Sequence, residues 1–177
     1  DYSNPASITY GGTGFTESAT NDGTVTGSIT ATLTGDTFVN PLGAGVHATI
    51  TNVPAGLTAV LTRTSSTVAT LTLTGTATAP INANDVANLT ITWIDGAFTG
   101  TTLATNVTNP QFTAGVVDFT DIALAYATTT FVEAAANNGS ITTTSTITLT
   151  GDTFVFALGN FTQGVHYNVT NLPLGLS

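Results

Sequence analysis

The stretch Thr24-Val-Thr-Gly-Ser-Ile-Thr-Ala-Thr-Leu-Thr34 places a threonine or serine at every second position and an apolar or small residue between them. Alternation with a period of two is typical of a β-strand with one buried face and one exposed face. The run Ala69-Thr-Leu-Thr-Leu-Thr74 follows the same rule. Because threonine is β-branched and fits a pleated surface, both runs predict strands.

Strand and turn signals alternate along the rest of the chain. Ala87–Ile94 predicts another strand, whereas Gly35-Asp36 and the Pro/Gly stretch Asn52–Gly56 predict turns. The best candidate for helical structure is a single turn over Ile81–Ala87. Seven or eight short strands within about 117 residues predict an all-β protein made of immunoglobulin-like antiparallel β-sandwich repeats. The side chains expected in the core are Leu33, Phe38, Val39, Leu71, Leu73, Leu89, Ile91 and Trp93.

The composition excludes several classes of function. Of 177 residues, 42 are threonine, ten are acidic and one, Arg63, is basic, for a net charge of −9. Because the chain has almost no positive charge to neutralise phosphates, no nucleic acid is expected as a partner. No apolar run is long enough to cross a bilayer, so membrane insertion is not expected. The absence of cysteine excludes disulfides and thiolate chemistry.

An internal repeat organises the chain. The segment Phe15–Gly23 aligns with Phe131–Gly139, and Leu33–Val39 recurs unchanged as Leu149–Val155. Further matches are Asp1-Tyr2 with Asp118-Phe119, Tyr10 with Tyr126, Gly45–His47 with Gly164–His166 after a three-residue insertion, and Thr51–Leu57 with Thr170–Leu176. Repeats of this kind indicate tandem structural units. We therefore predict a complete sandwich repeat over 1–117 and the first half of a second copy over 118–177.

Half a sandwich leaves apolar faces and strand edges uncovered. The chain contains two copies of the first half and one copy of the second, and exchange between identical chains cannot correct that imbalance. We therefore expect either a longer array that supplies the missing half, or a filament in which the half unit lies against another chain through its open edges.

Several strings in the first unit carry a family resemblance. Leu33-Thr-Gly-Asp-Thr-Phe38, Gly45-Val-His47, Asn52-Val-Pro-Ala-Gly-Leu-Thr58 and Thr70–Thr78 resemble the tandem immunoglobulin-like repeats of large bacterial surface and filament proteins, and Asn84–Trp93 is similar to the strand that follows in them. The resemblance covers the first unit and the half unit after it. It implies an extracellular or cell-surface protein with a structural or adhesive role, and it transfers no site residues.

The expected function is therefore that of a structural module in an adhesin, surface layer or filament. Such a module would associate with neighbouring repeats or subunits. The alternative is a carbohydrate-binding module of a secreted protein, with glycans as partners. Sugar binding generally uses an exposed aromatic platform, but the single tryptophan, Trp93, alternates with Leu89 and Ile91 and is expected on the apolar face.

The sequence does not predict an enzyme. The two histidines, His47 and His166, occupy equivalent positions in the two copies, which favours a packing role over a base beside a nucleophile. The two glutamates, Glu17 and Glu133, also occur once per copy, whereas a glycosidase needs two acids across one cleft.

Acidic side chains provide candidate calcium ligands, because hard cations take oxygen ligands. The candidates are Glu17, Asp22, Asp36, Glu133 and Asp152. In the alternative interpretation, the aspartates shape turns and the glutamates cap a strand entrance. No other cofactor is expected.

Asn-x-Ser/Thr sequences also provide candidate N-glycosylation sites. These are Asn88, Asn106, Asn138, Asn160 and Asn168.

Overall fold

The computed structural model describes residues 5–101, 103–155 and 159–176, without the side chain of residue 13. The chain forms two compact units, Asp1–Asp121 and Ile122–Ser177. The first unit contains strands β1 (Ser7–Glu17), β2 (Val25–Thr34), β3 (Ala48–Thr51), β4 (Leu57–Arg63), β5 (Val68–Gly75), β6 (Val86–Trp93) and β7 (Gln111–Asp118), with 3-10 turns at Asn82–Asn84 and Ala104–Asn106. The prediction of an all-β protein is confirmed.

The seven strands of the first unit are hydrogen-bonded in the order β3-β6-β7-β1-β2-β5-β4. Every pairing is antiparallel except that of β1 with β7, which is parallel over Gly14–Thr16. β1 therefore joins two groups of strands: β2, β5 and β4 on one side, and β7, β6 and β3 on the other. A Cβ atom on Gly115 of β7 would lie 3.1 Å from Ile29 Cδ1 of β2, although these strands are not sheet neighbours. The two groups thus face each other, which is consistent with a β-sandwich.

The predicted core is confirmed at seven of eight positions. Leu33, Phe38, Leu71, Leu73, Leu89, Ile91 and Trp93 are buried. Val39 is only half-buried. Neighbouring residues of an extended segment face opposite sides, so the inward-facing Phe38 directs Val39 outward. The predicted helical turn at Ile81–Ala87 is a shorter 3-10 turn, because β6 already begins at Val86.

The first compact unit ends at Asp121, four residues beyond the boundary that the repeat predicts. Phe119 is buried in the core of this unit, and its N–H donates to Asp85 Oδ1 at 2.9 Å. Residues 118–121 therefore begin the second sequence copy but complete the first structural unit. Asp1 and Tyr2, which match Asp118 and Phe119, lie outside the described residues.

The second unit pairs β8 (Ala123–Tyr126) with β9 (Ile147–Thr150) in an antiparallel hairpin. Leu124 faces Leu149 across this pair, as Ile8 faces Leu33 across β1 and β2. All four aligned pairs of β8 and β9 repeat the β1–β2 register at their equivalent positions. The described residues 122–155 and 159–176 correspond to residues 6–57 of the first unit. Among the described residues of the whole chain, no helix is long and apolar enough to cross a membrane.

Candidate functional site

Asp36 connects the two halves of the first repeat. It lies in the turn after β2, where its Oδ1 accepts the Thr37 N–H at 2.6 Å. The same oxygen accepts the Gly100 N–H at 2.8 Å, and Oδ2 accepts the Thr101 N–H at 2.8 Å. Residues 99–101 follow β6 and belong to the second half of the repeat. One carboxylate thus joins a turn of the first half to a loop of the second.

The environment of Asp36 favours its charged form. Burial alone would raise the pKa of the carboxyl group. The N–H groups of Thr37, Thr101 and Gly100, with the Thr99 hydroxyl, outweigh burial and hold the pKa below its ordinary value. The ionised carboxylate therefore forms charge-assisted hydrogen bonds to this loop.

Glu17 makes an equivalent connection at the end of β1. Its Oε1 accepts the Gly23 N–H at 2.9 Å within the first half, and its Oε2 accepts the Thr120 N–H at 2.9 Å. The Asn21 side chain donates to the Thr120 carbonyl at 2.8 Å. Thr120 is thereby held through both of its backbone groups. Together with buried Phe119, these bonds fix the end of the unit.

Four other aspartates of the first unit also accept backbone N–H groups. Asp22 Oδ1 accepts both the hydroxyl and the backbone N–H of Thr24 within its own turn, and these two bonds, the hydroxyl bond first, lower the Asp22 pKa. Three further acceptors were not singled out from the sequence: Asp85 (from Phe119), Asp95 (from Ala104) and Asp121 (from Asn82). Asp95 lies in a turn, where aspartate commonly binds nearby backbone, and its donor is nine residues away. The donors to Asp85 and Asp121 are 34 and 39 residues away, so no local sequence pattern could have identified these two acceptors.

The second unit retains the local part of both connections. Glu133 accepts the Gly139 N–H at 2.6 Å, as Glu17 accepts that of Gly23. Asp152 accepts the Thr153 N–H at 2.6 Å, as Asp36 accepts that of Thr37. The described residues of this unit include no counterparts of residues 99–101 or 120. The second unit therefore contains the acceptors without the loops that they bind in the first unit.

The five candidate calcium ligands occupy four places in the chain, because Glu17 and Asp22 share one turn while the other three bind elsewhere. Glu17 and Asp22 bind the consecutive N–H groups of Gly23 and Thr24, whereas Asp36 binds the loop at 99–101. Within residues 5–101, 103–155 and 159–176, no group of three or more histidine, aspartate or glutamate side chains is arranged to hold a metal ion. The observed partners of these carboxylates are backbone N–H groups and, for Asp22 and Asp36, threonine hydroxyls as well.

Trp93 lies in an aromatic cluster and offers no exposed platform. Its ring is 3% exposed and stacks on Phe38 with a centroid distance of 4.7 Å. The indole N–H donates to the Tyr10 hydroxyl at 3.2 Å, and that hydroxyl donates to the Asn109 carbonyl. Burial raises the pKa of Tyr10 to about 12, although the bond from Trp93 opposes the shift. The position of Trp93 on the apolar face is confirmed.

The histidines have a local structural role in the two copies. His47 Nδ1 accepts the Gly43 N–H at 3.2 Å, and His166 Nδ1 accepts the Thr162 N–H at 2.9 Å. Each imidazole closes the turn in which it lies.

The candidate glycosylation sites share solvent exposure. They are Asn88, Asn106, Asn138, Asn160 and Asn168, all of which are exposed in the described structure.

Apolar side chains that are buried in the first unit have exposed counterparts in the second. Ile8 is 0% exposed and Leu124 is 51% exposed. Phe15 is 2% exposed and Phe131 is 56% exposed. Phe38 is 0% exposed and Phe154 is 40% exposed. An open apolar cavity of about 800 Å³ lies in the second unit, lined by residues that include Leu124, Ile147, Phe154, Phe161 and Tyr167.

Comparison with solved structures finds a similarity to the chitinase ChiW from Paenibacillus sp. str. FPU-7, described as a bacterial cell-surface-expressed multi-modular enzyme machinery. The sequence identity is 15% and the TM-score is 0.46. The match covers 67% of this chain and 13% of the chitinase chain. No protein-family model matches the chain, and no curated protein matches it.

Proposed function

We propose that this chain is a structural module of an extracellular repeat protein, such as an adhesin, a surface layer or a filament. The observation that carries this proposal is the repetition of the β1–β2 register in β8–β9. A protein that repeats the same sandwich half, with the same turns and carboxylate acceptors, is organised as an array of units.

The strand order supports an immunoglobulin-like sandwich as the unit of the array. Immunoglobulin constant-type domains place strands A, B, E and D in one sheet and C, F and G in the other. If β1 to β7 are matched to strands A to G in chain order, the neighbouring strands β1-β2-β5-β4 correspond to A-B-E-D. The neighbouring strands β3-β6-β7 correspond to C-F-G. This correspondence agrees with the sequence resemblance to bacterial surface repeats.

The hydrogen bonding of the carboxylates supports a structural role over a catalytic one. Glu17 and Asp36 use both carboxylate oxygens to hold backbone N–H groups. Catalytic acids instead face a cleft where a substrate can reach them. The function of these two side chains is to fix loops within the sandwich.

Surface labelling tests the proposed location and role. Antibodies against the 177-residue chain should label intact cells of the source organism without permeabilisation. A glycan array with the same chain should show no saturable binding. Labelling only after permeabilisation would contradict the surface location, and saturable binding to one class of glycan would favour the carbohydrate-binding alternative.

A further inference from the structure

The apolar face of the second unit has a defined counterpart in the first. We define this receptor face by Leu124, Phe131, Ile147 and Phe154, with the acceptors Glu133 and Asp152. Their counterparts are Ile8, Phe15, Ala31 and Phe38, which are all buried, with Glu17 and Asp36. The residues that pack on these positions in the first unit therefore indicate which kind of segment could bind the receptor face of the second unit.

Residues of the second half lie against two of these positions, Phe15 and Phe38. Phe15 lies opposite Val117 where β1 pairs with β7. Phe38 stacks on Trp93 of β6, and its ring centroid lies 5.8 Å from that of Phe98. The large aromatic ring of Trp93 fills the space beside Phe38. In the second unit, the open cavity borders Phe154, the counterpart of Phe38.

The polar contacts indicate the same occupant. Asp36 binds the N–H groups of Gly100 and Thr101, and Glu17 binds that of Thr120. These donors belong to the backbone of a particular loop and a particular terminal segment. A ligand for Asp152 and Glu133 must present N–H groups with the same spacing, together with apolar side chains between them.

We infer that the receptor face of the second unit binds a second-half segment of the same repeat, with the sequence pattern of residues 59–121. This inference rests on the proposed function as a repeat array. The segment includes residues 118–121, which are the first residues of a following copy. Each repeat would thus lend its first four residues to the unit before it.

A second copy of this chain is a poorer occupant. Its own second-half segment is already engaged, since Val117 and Phe119 are buried in its first unit and Thr120 is bound to Glu17. Transfer of that segment to another chain would expose the first-unit core. A segment from an additional repeat carries no such penalty.

The test is an extended chain in which a copy of residues 59–121 follows Ser177 in frame, because Ser177 corresponds to Thr58 in the repeat. Amide hydrogen exchange of residues 122–176 is compared with that in the 177-residue chain. We expect protection to rise by at least about a hundredfold in the extended chain. An extension by residues 1–56, which adds the wrong half, is the matched control and should leave exchange fast.

Shorter and substituted extensions test the individual contacts. An extension by residues 59–117 lacks the counterparts of Phe119 and Thr120, so protection should fall short of that given by 59–121. In the full extension, Glu133→Gln should lower protection of 122–176 by about tenfold, since a charge-assisted bond is lost. In the 177-residue chain the same substitution should affect exchange only near the local bond to Gly139 and leave β8 and β9 unchanged.

Two results would overturn the inference. In one, 122–176 stays unprotected in the full extension while 6–121 remains folded. In the other, 122–176 is already protected in the 177-residue chain, with sedimentation that reports a dimer, in which case a second copy is the occupant. Neither result alters surface labelling, so the proposed function is tested separately.

Discussion

Asp36 illustrates how a single side chain stabilises this fold without an ion pair. Only one basic residue is present in the sequence, and Asp36 is held by backbone N–H groups on both oxygens. Buried or half-buried donors that lose their acceptor carry an unfavourable desolvation free energy. The contribution of Asp36 is therefore measurable by substitution.

Asp36→Asn should lower the free energy of unfolding of the first unit by about 1–3 kcal/mol, because an amide nitrogen cannot accept the N–H groups that one carboxylate oxygen accepts. Urea unfolding followed by Trp93 fluorescence measures this, since Trp93 is the single tryptophan and lies in the first unit. Asp152→Asn, the same change in the other copy, should shift the midpoint negligibly. Equal effects of the two substitutions would contradict the role assigned to Asp36.

The pH dependence of stability follows from the lowered pKa of Asp36. Burial opposes ionisation, but the hydrogen bonds from Thr37, Thr101, Gly100 and Thr99 outweigh it. A pKa lower in the folded state than in the unfolded state stabilises the fold at pH values above the unfolded pKa of about 3.9. This stabilisation is lost as the pH falls through the folded pKa. The difference in unfolding free energy between the wild type and Asp36→Asn should therefore narrow below about pH 4, and a constant difference would contradict this cause.

Among the elements, the hairpin of β4 and β5 depends on a close backbone approach at its open end. Gly56 precedes β4 with φ +90°, and a Cβ atom there would lie 2.2 Å from the Thr76 carbonyl oxygen. Neither backbone can move away while the strands remain paired. The glycine is therefore required both by its conformation and by the space around it.

Gly56→Ala should destabilise the first unit more than Gly96→Ala. Gly96 has φ +87° with nothing within 4 Å of its added Cβ, so its substitution carries only the conformational cost of about 1–2 kcal/mol. The contact with Thr76 should add about 1–3 kcal/mol at Gly56. Thermal unfolding of both variants gives the comparison, and similar losses would show that the close approach relaxes without cost.

The elements also show which features the sequence predicts and which it does not. Period-two alternation predicted β2 and β5, and the internal repeat anticipates the shared register of β1–β2 and β8–β9. The distant partners of Glu17 and Asp36 were not predicted. Their donors are backbone N–H groups more than 60 residues away, which carry no side-chain signature. The sequence repeat also does not indicate that the first compact unit extends to Asp121. It does so because Phe119 packs into the core of the first unit.

At the scale of the whole molecule, the acidic side chains could stabilise the fold either through hydrogen bonds or through a bound calcium ion. The described contacts of Glu17 and Asp36 are with backbone amides and the Thr99 hydroxyl, so we expect the first unit not to depend on calcium. We expect the melting temperature at neutral pH to be unchanged by a chelator. A ligand that binds only the native state raises stability by mass action. A fall of several degrees, reversed by added calcium, would therefore show that the folded chain binds calcium.

The two units should also differ in stability within one chain. The first unit has a continuous core from Ala6 to Phe119, whereas Leu124, Phe131 and Phe154 of the second remain exposed. Segments with little buried apolar area open with low free energy. We therefore expect amides of the second unit to exchange through local opening, without unfolding of the first unit.

Hydrogen exchange of the 177-residue chain, resolved by residue, tests this claim most directly. Strand amides of β1–β7 should exchange slowly, by global unfolding of the first unit, while amides of β8 and β9 should exchange at least about a hundredfold faster. A monomer in which β8 and β9 are protected as strongly as β1 and β2 would contradict the account, because the half repeat would then be stable without its second half.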